Sequence, residues 1–151
     1  MDFLGHALIE NRHGLVVDVE TTLATGTAER DSAETMVKRT ARQGATLGAD
    51  KNYDTALFMA ALRKHGITPH VAQKKNHSAI DGRTTRHAGY AQSLKKRKLV
   101  EQIFGWAKTV GGLRKTPFVG LDKVKAQTVF TFAAYNLTRM ATIFGWRLNP
   151  A

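Results

Sequence analysis

The sequence predicts a mixed α/β domain, and three observations support that fold class. Two β-like runs separated by a short turn come first along the chain. Two helical segments with capping residues then alternate with two short apolar runs, and further helices follow. The chain has 151 residues, of which 42% are hydrophobic, and this suits one domain with a buried core. The resulting element order is typical of a mixed sheet flanked by helices.

A hairpin and a helix are predicted at the start of the chain. The runs FLGHALIE and GLVVDVETTLA are β-like, and Gly14 in the intervening NRHG suits a hairpin loop. The next segment, TAERDSAETMVKRTARQG, is a predicted helix with Thr27 as N-cap, acids in front, bases behind and Gly44 at its end.

Two short strands and a second helix are predicted next. ATLGA is small and apolar, and it stops at Asp50. The segment DTALFMAALRKHG is a predicted helix with Asp54 as N-cap and Gly66 as the C′ residue. ITPHVAQ is the last predicted strand.

The second half of the chain is predicted to be a basic loop followed by helices. The polar loop, rich in bases, spans about residues 74–93. We expect a helix from about Leu94 to Val110 and, after a loop, a long final helix from about Leu121 to Phe144.

The composition points to a polyanionic partner and excludes cysteine chemistry. Lys and Arg number 23 against 12 Asp and Glu, and a formal net charge of +11 is most often used to bind nucleic acid. The absence of cysteine excludes disulfides, thiolate zinc sites and cysteine nucleophiles. No signal peptide is predicted, and the most apolar window contains Gln127, Asn136 and Arg139. We therefore expect a soluble, cytoplasmic protein without membrane contact.

Two acids are candidates for chemistry. Asp50 follows a predicted strand, and ligands of α/β sheets gather at the carboxyl ends of strands, although a loop acid or a helix cap would occupy the same place. On the predicted helix, Arg97, Glu101 and Lys108 fall within an arc of roughly 40°. This stripe could serve a site, or Arg97 and Glu101 could form a surface ion pair worth only ~0.3–0.5 kcal/mol. Helix geometry leaves both interpretations open.

One pattern of spaced residues links three segments of the chain. The segments are TLGADKNYDTALFMAALRKHGITPHVAQ, SAIDGRTTRHAGY and KRKLVEQIFGWAKTVGGLRK. The pattern is an Asp followed by Lys-x-Tyr-Asp, then Arg-x3-Glu-x6-Lys and Gly-Gly-Leu-Arg; Asp50, Arg97, Glu101 and Lys108 match it. In these features the chain resembles the catalytic region of bacterial insertion-sequence DDE transposases of the IS-five type. The likeness extends from GHALIENRHGLVVD to AAYNLTRM.

The resemblance implies a fold, a cofactor and roles for particular residues. The family fold is ribonuclease H-like, and three acids bind two divalent ions, Mg²⁺ or Mn²⁺, for in-line phosphoryl displacement on DNA. By this likeness Asp50 would be the second acid and Glu101 the third, both as catalytic metal ligands. Arg97 and Lys108 would contact DNA near the cut. Further candidates for contact with DNA are Arg83, Arg86, Arg114 and Lys115.

The chain departs from the family pattern at two places. Leu94 stands where the family usually has Tyr. No residue matches the first acid, because Asp2 precedes the hairpin and Asp18 lies inside a predicted strand, where a strand-face acid is the simpler interpretation. Residues 1–151 are therefore predicted to be a partial catalytic domain, truncated at the N-terminus and lacking the first, central strand. We expect such a chain to be poorly stable and inactive alone.

Three classes of function remain. A transposase, or a fragment of one, would act on transposon ends and target DNA, together with an upstream transposase segment or by self-association in a synaptic complex. A catalytically dead DNA-binding remnant would bind DNA or interfere with an intact enzyme. A structural RNA-binding protein would explain the charge but not the spaced acids and bases. A transposase would lie in the bacterial cytoplasm, on the nucleoid when bound to DNA.

Overall fold

The structure, a computed structural model, describes residues 2–146 and has the mixed α/β composition that the sequence predicts. The elements in chain order are β1 (Phe3–Ile9), β2 (Val16–Leu23), α1 (Ala28–Thr40), β3 (Thr46–Ala49), a 3-10 helix (Lys51–Tyr53), α2 (Ala56–Lys64), β4 (Thr68–Val71), α3 (Gly82–Thr85), α4 (Tyr90–Lys96), α5 (Leu99–Thr109) and α6 (Leu121–Phe144). These elements form two compact units. Unit 1 runs to Ala28 and resumes at Leu99, and unit 2 is Glu29–Lys98.

In unit 1, β1 and β2 form the antiparallel hairpin predicted from the first two β-like runs. Gly14 in the connecting turn has a φ of 73°, a left-handed conformation that glycine adopts without strain. The Glu10 carboxylate accepts hydrogen bonds from the amides of Arg12, His13 and Leu15. One side chain therefore satisfies the donors that the turn would otherwise expose.

The core of unit 1 lies between this hairpin and the last two helices. Its buried apolar residues are Val16, Ile103, Ala107 and Phe132. The Asn136 side chain on α6 accepts a 2.8 Å hydrogen bond from the Val16 amide and donates one of 2.8 Å to the Val16 carbonyl. This pair of bonds fixes the register of α6 against β2.

Helix α6 has the bounds that the sequence predicts. Its last residue is Phe144, and the next residue, Gly145, has a φ of 66° in the left-handed region, as is usual after a helix. Tyr135 on α6 packs edge-on against Trp106 of α5, with the ring centroids 5.5 Å apart. Trp106 thus has a packing role in unit 1.

In unit 2, β3 and β4 are parallel, with Thr46 opposite Thr68 and Ala49 opposite Val71. Helix α2 supplies the crossover that a parallel pair requires. Gly66 follows α2 with a φ of 70°, so its prediction as the C′ residue is confirmed. The buried apolar core of this unit consists of Val37, Phe58, Met59, Leu62, Ile67, Val71 and Ile80.

The predicted boundaries of the first two helices are wrong in part. Thr55, not Asp54, caps α2, since the Thr55 hydroxyl accepts the hydrogen bond from the first turn. Asp50 caps the 3-10 helix that separates β3 from α2. Helix α1 ends at Thr40, before the predicted stop at Gly44.

The predicted single helix from Leu94 to Val110 is wrong, because the structure has two helices there. Helix α4 ends at Lys96 and α5 begins at Leu99. Consecutive cations are favourable at the C-terminus of a helix, where the helix dipole is negative, and an acid is favourable in a first turn. The predicted basic loop at 74–93 is also not irregular throughout, since it contains α3 and the start of α4.

The strands of residues 2–146 form two separate two-stranded sheets. A ribonuclease H-like sheet with a central strand stays a prediction. In the same range no helix combines the length and the apolar character needed to cross a membrane.

Candidate active site

Asp50 lies where the two parallel strands of unit 2 end. It follows Ala49, the last residue of β3, which is paired with Val71, the last residue of β4. The Lys51 amide donates a hydrogen bond to Asp50 Oδ1 and so begins the 3-10 helix. The Asp50 side chain stays 53% exposed. The predicted position at a strand end is confirmed, and the carboxylate is accessible there.

Arg97 is the cationic partner of Asp50. Its Nη1 lies 3.1 Å from Asp50 Oδ1, and its side chain is 31% exposed. Arg97 directly follows α4, and its amide donates a hydrogen bond to the Ser93 carbonyl. The alternative of an ion pair between Arg97 and Glu101 on one helix is therefore wrong. The break after Lys96 separates the two residues into different elements.

Helix α4 is held against the β3–β4 pair by a buried polar contact. His70 of β4 is fully buried, and its Nδ1 lies 2.7 Å from the Ser93 hydroxyl of α4. Burial lowers the pKa of His70, and the neighbouring His87, with its ring centroid 4.7 Å away, lowers that pKa further. A neutral His70 fits this packing, and the contact positions the end of α4 from which Arg97 projects.

Tyr90, at the start of α4, contacts the last residue of β4. Its hydroxyl donates a 2.9 Å hydrogen bond to the Val71 carbonyl. Burial raises the pKa of Tyr90, so the phenol stays a donor at neutral pH. Leu94, which replaces the family Tyr, lies one turn further along the same helix and is partly buried.

Asp54 anchors the basic segment that follows β4, a role that the sequence analysis missed. The side chain is fully buried, and its two oxygens accept hydrogen bonds of 2.8 Å from the amides of Lys74 and Ala79. Burial alone would raise the pKa of Asp54, but hydrogen bonds from Ser78, Lys74 and Ala79 outweigh it and hold the pKa below its ordinary value. The only signal in the sequence was its place in the Lys-x-Tyr-Asp pattern.

Glu101 and Lys108 lie on α5 in unit 1. Glu101 is in the first turn and Lys108 in the last, and both are exposed. Seven residues are close to two full turns, so these two side chains share one face. The opposite face is buried through Ile103 and Ala107. This part of the predicted stripe is confirmed, without Arg97.

Lys108 borders a cavity of about 460 Å³ within unit 1. Arg114 and Phe104 also line it, so cationic and aromatic groups meet there. Two further lining atoms, Thr21 Oγ1 and Gln127 Oε1, are buried and have no hydrogen-bond partner within residues 2–146. The predicted DNA-contact residues Lys108 and Arg114 thus lie together.

Two predicted DNA-contact residues in the basic segment at 74–93, Arg83 and Arg86, form hydrogen bonds with neighbouring residues. Arg83 donates to Asp81 through Nε and Nη2 at 2.8 and 2.6 Å, and these bonds raise the pKa of Arg83. Arg86 Nε donates to the Gly82 carbonyl at 2.9 Å. Both arginine side chains remain exposed, as does that of Lys115 in the loop before α6. All three are accessible to a phosphate backbone.

The candidate metal ligands, Asp50 and Glu101, have the oxygen donors that a hard cation prefers. They are two acids, whereas the family site is expected to have three. Carboxylate oxygens are the donors that Mg²⁺ prefers. Asp50 belongs to unit 2 and Glu101 to unit 1. Nowhere in the described part of the chain does a cluster of three or more acidic, His or Cys side chains occur that could hold a metal.

Comparison with known proteins identifies the family. A family model described as the transposase DDE domain matches residues 3–137. Because this match covers most of the chain, the chain belongs to the DDE transposase family, and the predicted resemblance to DDE transposases is confirmed. Members of this family act on DNA and generally use a divalent metal. No curated protein and no solved structure matches the chain.

Proposed function

We propose that this chain serves DNA transposition through metal-dependent DNA cleavage and strand transfer, as part of a ribonuclease H-like catalytic domain. The observation that carries this proposal is the Asp50–Arg97 pair. An accessible carboxylate at the common end of two parallel strands lies 3.1 Å from a guanidinium. This pair brings an oxygen ligand for a cation next to a donor for a phosphate.

The proposal gives each candidate residue a role. Asp50 and Glu101 would hold Mg²⁺ or Mn²⁺, which when bound activates the attacking hydroxyl and stabilises the leaving oxygen. Arg97 orients the Asp50 carboxylate and offers its remaining N–H donors to the DNA backbone. Lys108 and Arg114, on the wall of the cavity, bind a phosphate of the same DNA.

The chain by itself is proposed to be inactive. The family site needs three acids, and only Asp50 and Glu101 correspond to them in this sequence. A transposase segment that supplies the first acid would complete the set. The IS-five type and the assignment to the C-terminal part of the catalytic domain belong to this proposal as well.

The test is a cleavage and strand-transfer assay with Mg²⁺ or Mn²⁺. The chain is assayed alone and after addition of a transposase segment that carries the first acid. We expect no product from the chain alone and product from the mixture. Asp50→Asn or Glu101→Gln should abolish that product, whereas Asp31→Asn on α1, an exposed acid outside the candidate site, should not.

Two results would contradict the proposal. Product from the chain alone that Glu101→Gln removes would show that two acids are enough. Product from the mixture that neither Asp50→Asn nor Glu101→Gln reduces would remove both residues from the site.

A DNA-binding remnant without activity is the second candidate. The net charge of +11 and the exposed Arg83, Arg86 and Lys115 support it. This candidate predicts salt-dependent DNA binding and no product under any condition, including the mixture.

A further inference from the structure

Helix α6 carries an apolar face outside the core of unit 1. Its inner face packs on β2, where Asn136 bonds to the strand backbone. On the outer face Phe130 is 76% exposed, Phe144 63% and Leu137 61%. Exposed apolar residues of this size on one helix are unusual for a surface that stays in water. Further exposed apolar residues beside them are Ala126, Val129, Ala133, Ala134 and Ile143.

The outer face follows a heptad repeat. The residues Ala126, Phe130, Ala133, Leu137, Met140 and Phe144 succeed one another in alternating steps of four and three, and we name these six the α6 seam. This is the a/d spacing of a coiled coil. Phe130, Leu137 and Phe144 take the a positions, and the smaller or more flexible residues take the d positions.

The α6 seam is uncharged in a strongly basic chain. Between Ala126 and Phe144 the helix has one charged side chain, Arg139, whose Nε donates to the His13 carbonyl within unit 1. Two chains of net charge +11 repel each other wherever their cations approach. Because the α6 seam is uncharged, two copies of the chain can meet there without bringing their cations together. An acidic partner would find no cation in the α6 seam with which to form an ion pair.

We propose that the α6 seam is a self-association surface on which the α6 helix of a second copy docks in antiparallel orientation. In this register Phe144 faces Ala126 of the second copy, and Leu137 faces its Ala133. Phe130 faces the flexible Met140 in the same way, so each large side chain meets a smaller or adaptable one. The arrangement is two-fold symmetric, as a self-complementary dimer requires.

The size of the α6 seam fits a dimer. Aromatic side chains contribute about 150–250 Å² each, so the exposed parts of Phe130, Phe144 and the adjoining Trp146, which is 60% exposed, offer roughly 300–500 Å². Leu137, Val129 and the alanines extend this area towards the ~800 Å² that each partner gives to a standard interface. The inference does not depend on the proposed function, since it uses only α6.

The first test is the molar mass of the purified full chain by light scattering and sedimentation over a range of concentrations. The expected value is twice the 16.6 kDa of one chain. Leu137→Glu, in the middle of the α6 seam, should raise the dimer dissociation constant at least about tenfold, as for a central interface residue. Thr142→Glu, an exposed position on the other side of α6, is the matched control and should leave the dimer intact.

The second test uses cross-linking to determine whether the two α6 helices of the dimer are antiparallel or parallel. Because the chain has no cysteine, a single introduced cysteine reports on one position only. In the proposed register Ala134 lies beside the two-fold axis, so Ala134→Cys should form a disulfide between copies on mild oxidation. Ala126 lies far from its own equivalent, so Ala126→Cys should not, whereas a parallel dimer would bring the two copies of Ala126 together and cross-link there.

Three outcomes would overturn the inference. The first is a wild-type chain that is monomeric at every concentration. The second is equal association of Leu137→Glu and Thr142→Glu, with circular dichroism confirming that both are folded. The third is cross-linking of Ala126→Cys as readily as Ala134→Cys.

Discussion

The Arg97 guanidinium lies 3.1 Å from the Asp50 carboxylate and so joins the residue after α4 to the residue after β3. The pair is too exposed to contribute much to stability, since such surface pairs are worth about 0–1 kcal/mol. The pair matters instead because it places a cation next to an acid at the strand ends of unit 2. Under the proposed function, the acid would bind a metal there and the cation would bind DNA.

Replacement of Arg97 by Ala should weaken DNA binding evenly across sequences. A cation that contacts one phosphate accounts for about one unit in the slope of log affinity against log salt concentration. We therefore expect the slope to fall by about 1 in a titration by fluorescence anisotropy. Lys38→Ala removes a cation that is also ion-paired in unit 2, with Glu34 at 2.8 Å, and should change the slope little. Equal slopes for both variants would exclude a phosphate contact of Arg97.

Replacement of Asp54 by Asn should destabilise unit 2. The Asn side chain has one acceptor oxygen, so the amide of Lys74 or Ala79 would lose its partner in a partly buried place. A buried donor left without a partner costs about 1–3 kcal/mol in the free energy of unfolding, measured by urea denaturation followed with circular dichroism. Asp31→Asn, an exposed acid in the first turn of α1, should cost no more than about 1 kcal/mol. A loss for Asp54→Asn no larger than that for Asp31→Asn would contradict the anchoring role.

Tyr53 should make the protein sensitive to alkaline pH. Burial, with a smaller effect of the Glu29 carboxylate, raises the pKa of Tyr53 to about 12. An unfolded tyrosine has a pKa of about 10, so the unfolded chain loses this proton first and stability falls as the pH rises from about 10 towards 12. Tyr53→Phe should lose less free energy of unfolding over that range, as followed by urea titrations at each pH. Parallel curves for the two proteins would show that the phenol is not held in its protonated form.

Two glycines near the end of α5 should respond to alanine in opposite directions. A Cβ at Gly111 would collide with the Thr131 side chain and lie 2.8 Å from the Ala107 carbonyl oxygen. Gly111→Ala should therefore lower the free energy of unfolding by about 1–3 kcal/mol, the usual cost of overpacking. Gly105 lies within α5 with open space around it, so Gly105→Ala should raise stability by roughly 0.5–1 kcal/mol through helix propensity. Thermal unfolding of both variants tests the pair, and a stable Gly111→Ala would contradict the close packing of α5 on α6.

The elements that the sequence predicted well are those with local signals. The hairpin around Gly14, the bounds of α6 and the role of Gly66 depend on turn and capping chemistry within a few residues. Asp is a residue type favoured at helix N-caps, which is why Asp54 was predicted to be one. The two backbone amides that Asp54 actually binds come 20 and 25 residues later in the chain. No local rule assigns such partners.

The residues of the candidate site were named from the sequence and stay a prediction, whereas the pairing of Arg97 is changed by the structure. The position of Asp50 at a strand end followed from the apolar run before it, and the family pattern added Glu101 and the bases. The partner of Arg97 did not follow, because the predicted helix was continuous and placed Glu101 one turn away. The break between α4 and α5 reassigns Arg97 to Asp50.

The positions of the two tryptophans decide what an optical experiment on this chain can see. Trp106 and Trp146 both belong to unit 1, one packed against Tyr135 and one stacked on Phe144. Tryptophan fluorescence therefore reports the unfolding of unit 1 and does not report the unfolding of unit 2. A smooth fluorescence curve is no proof that the chain unfolds in one step, and coincidence with the far-ultraviolet dichroism signal is the measurement that decides it.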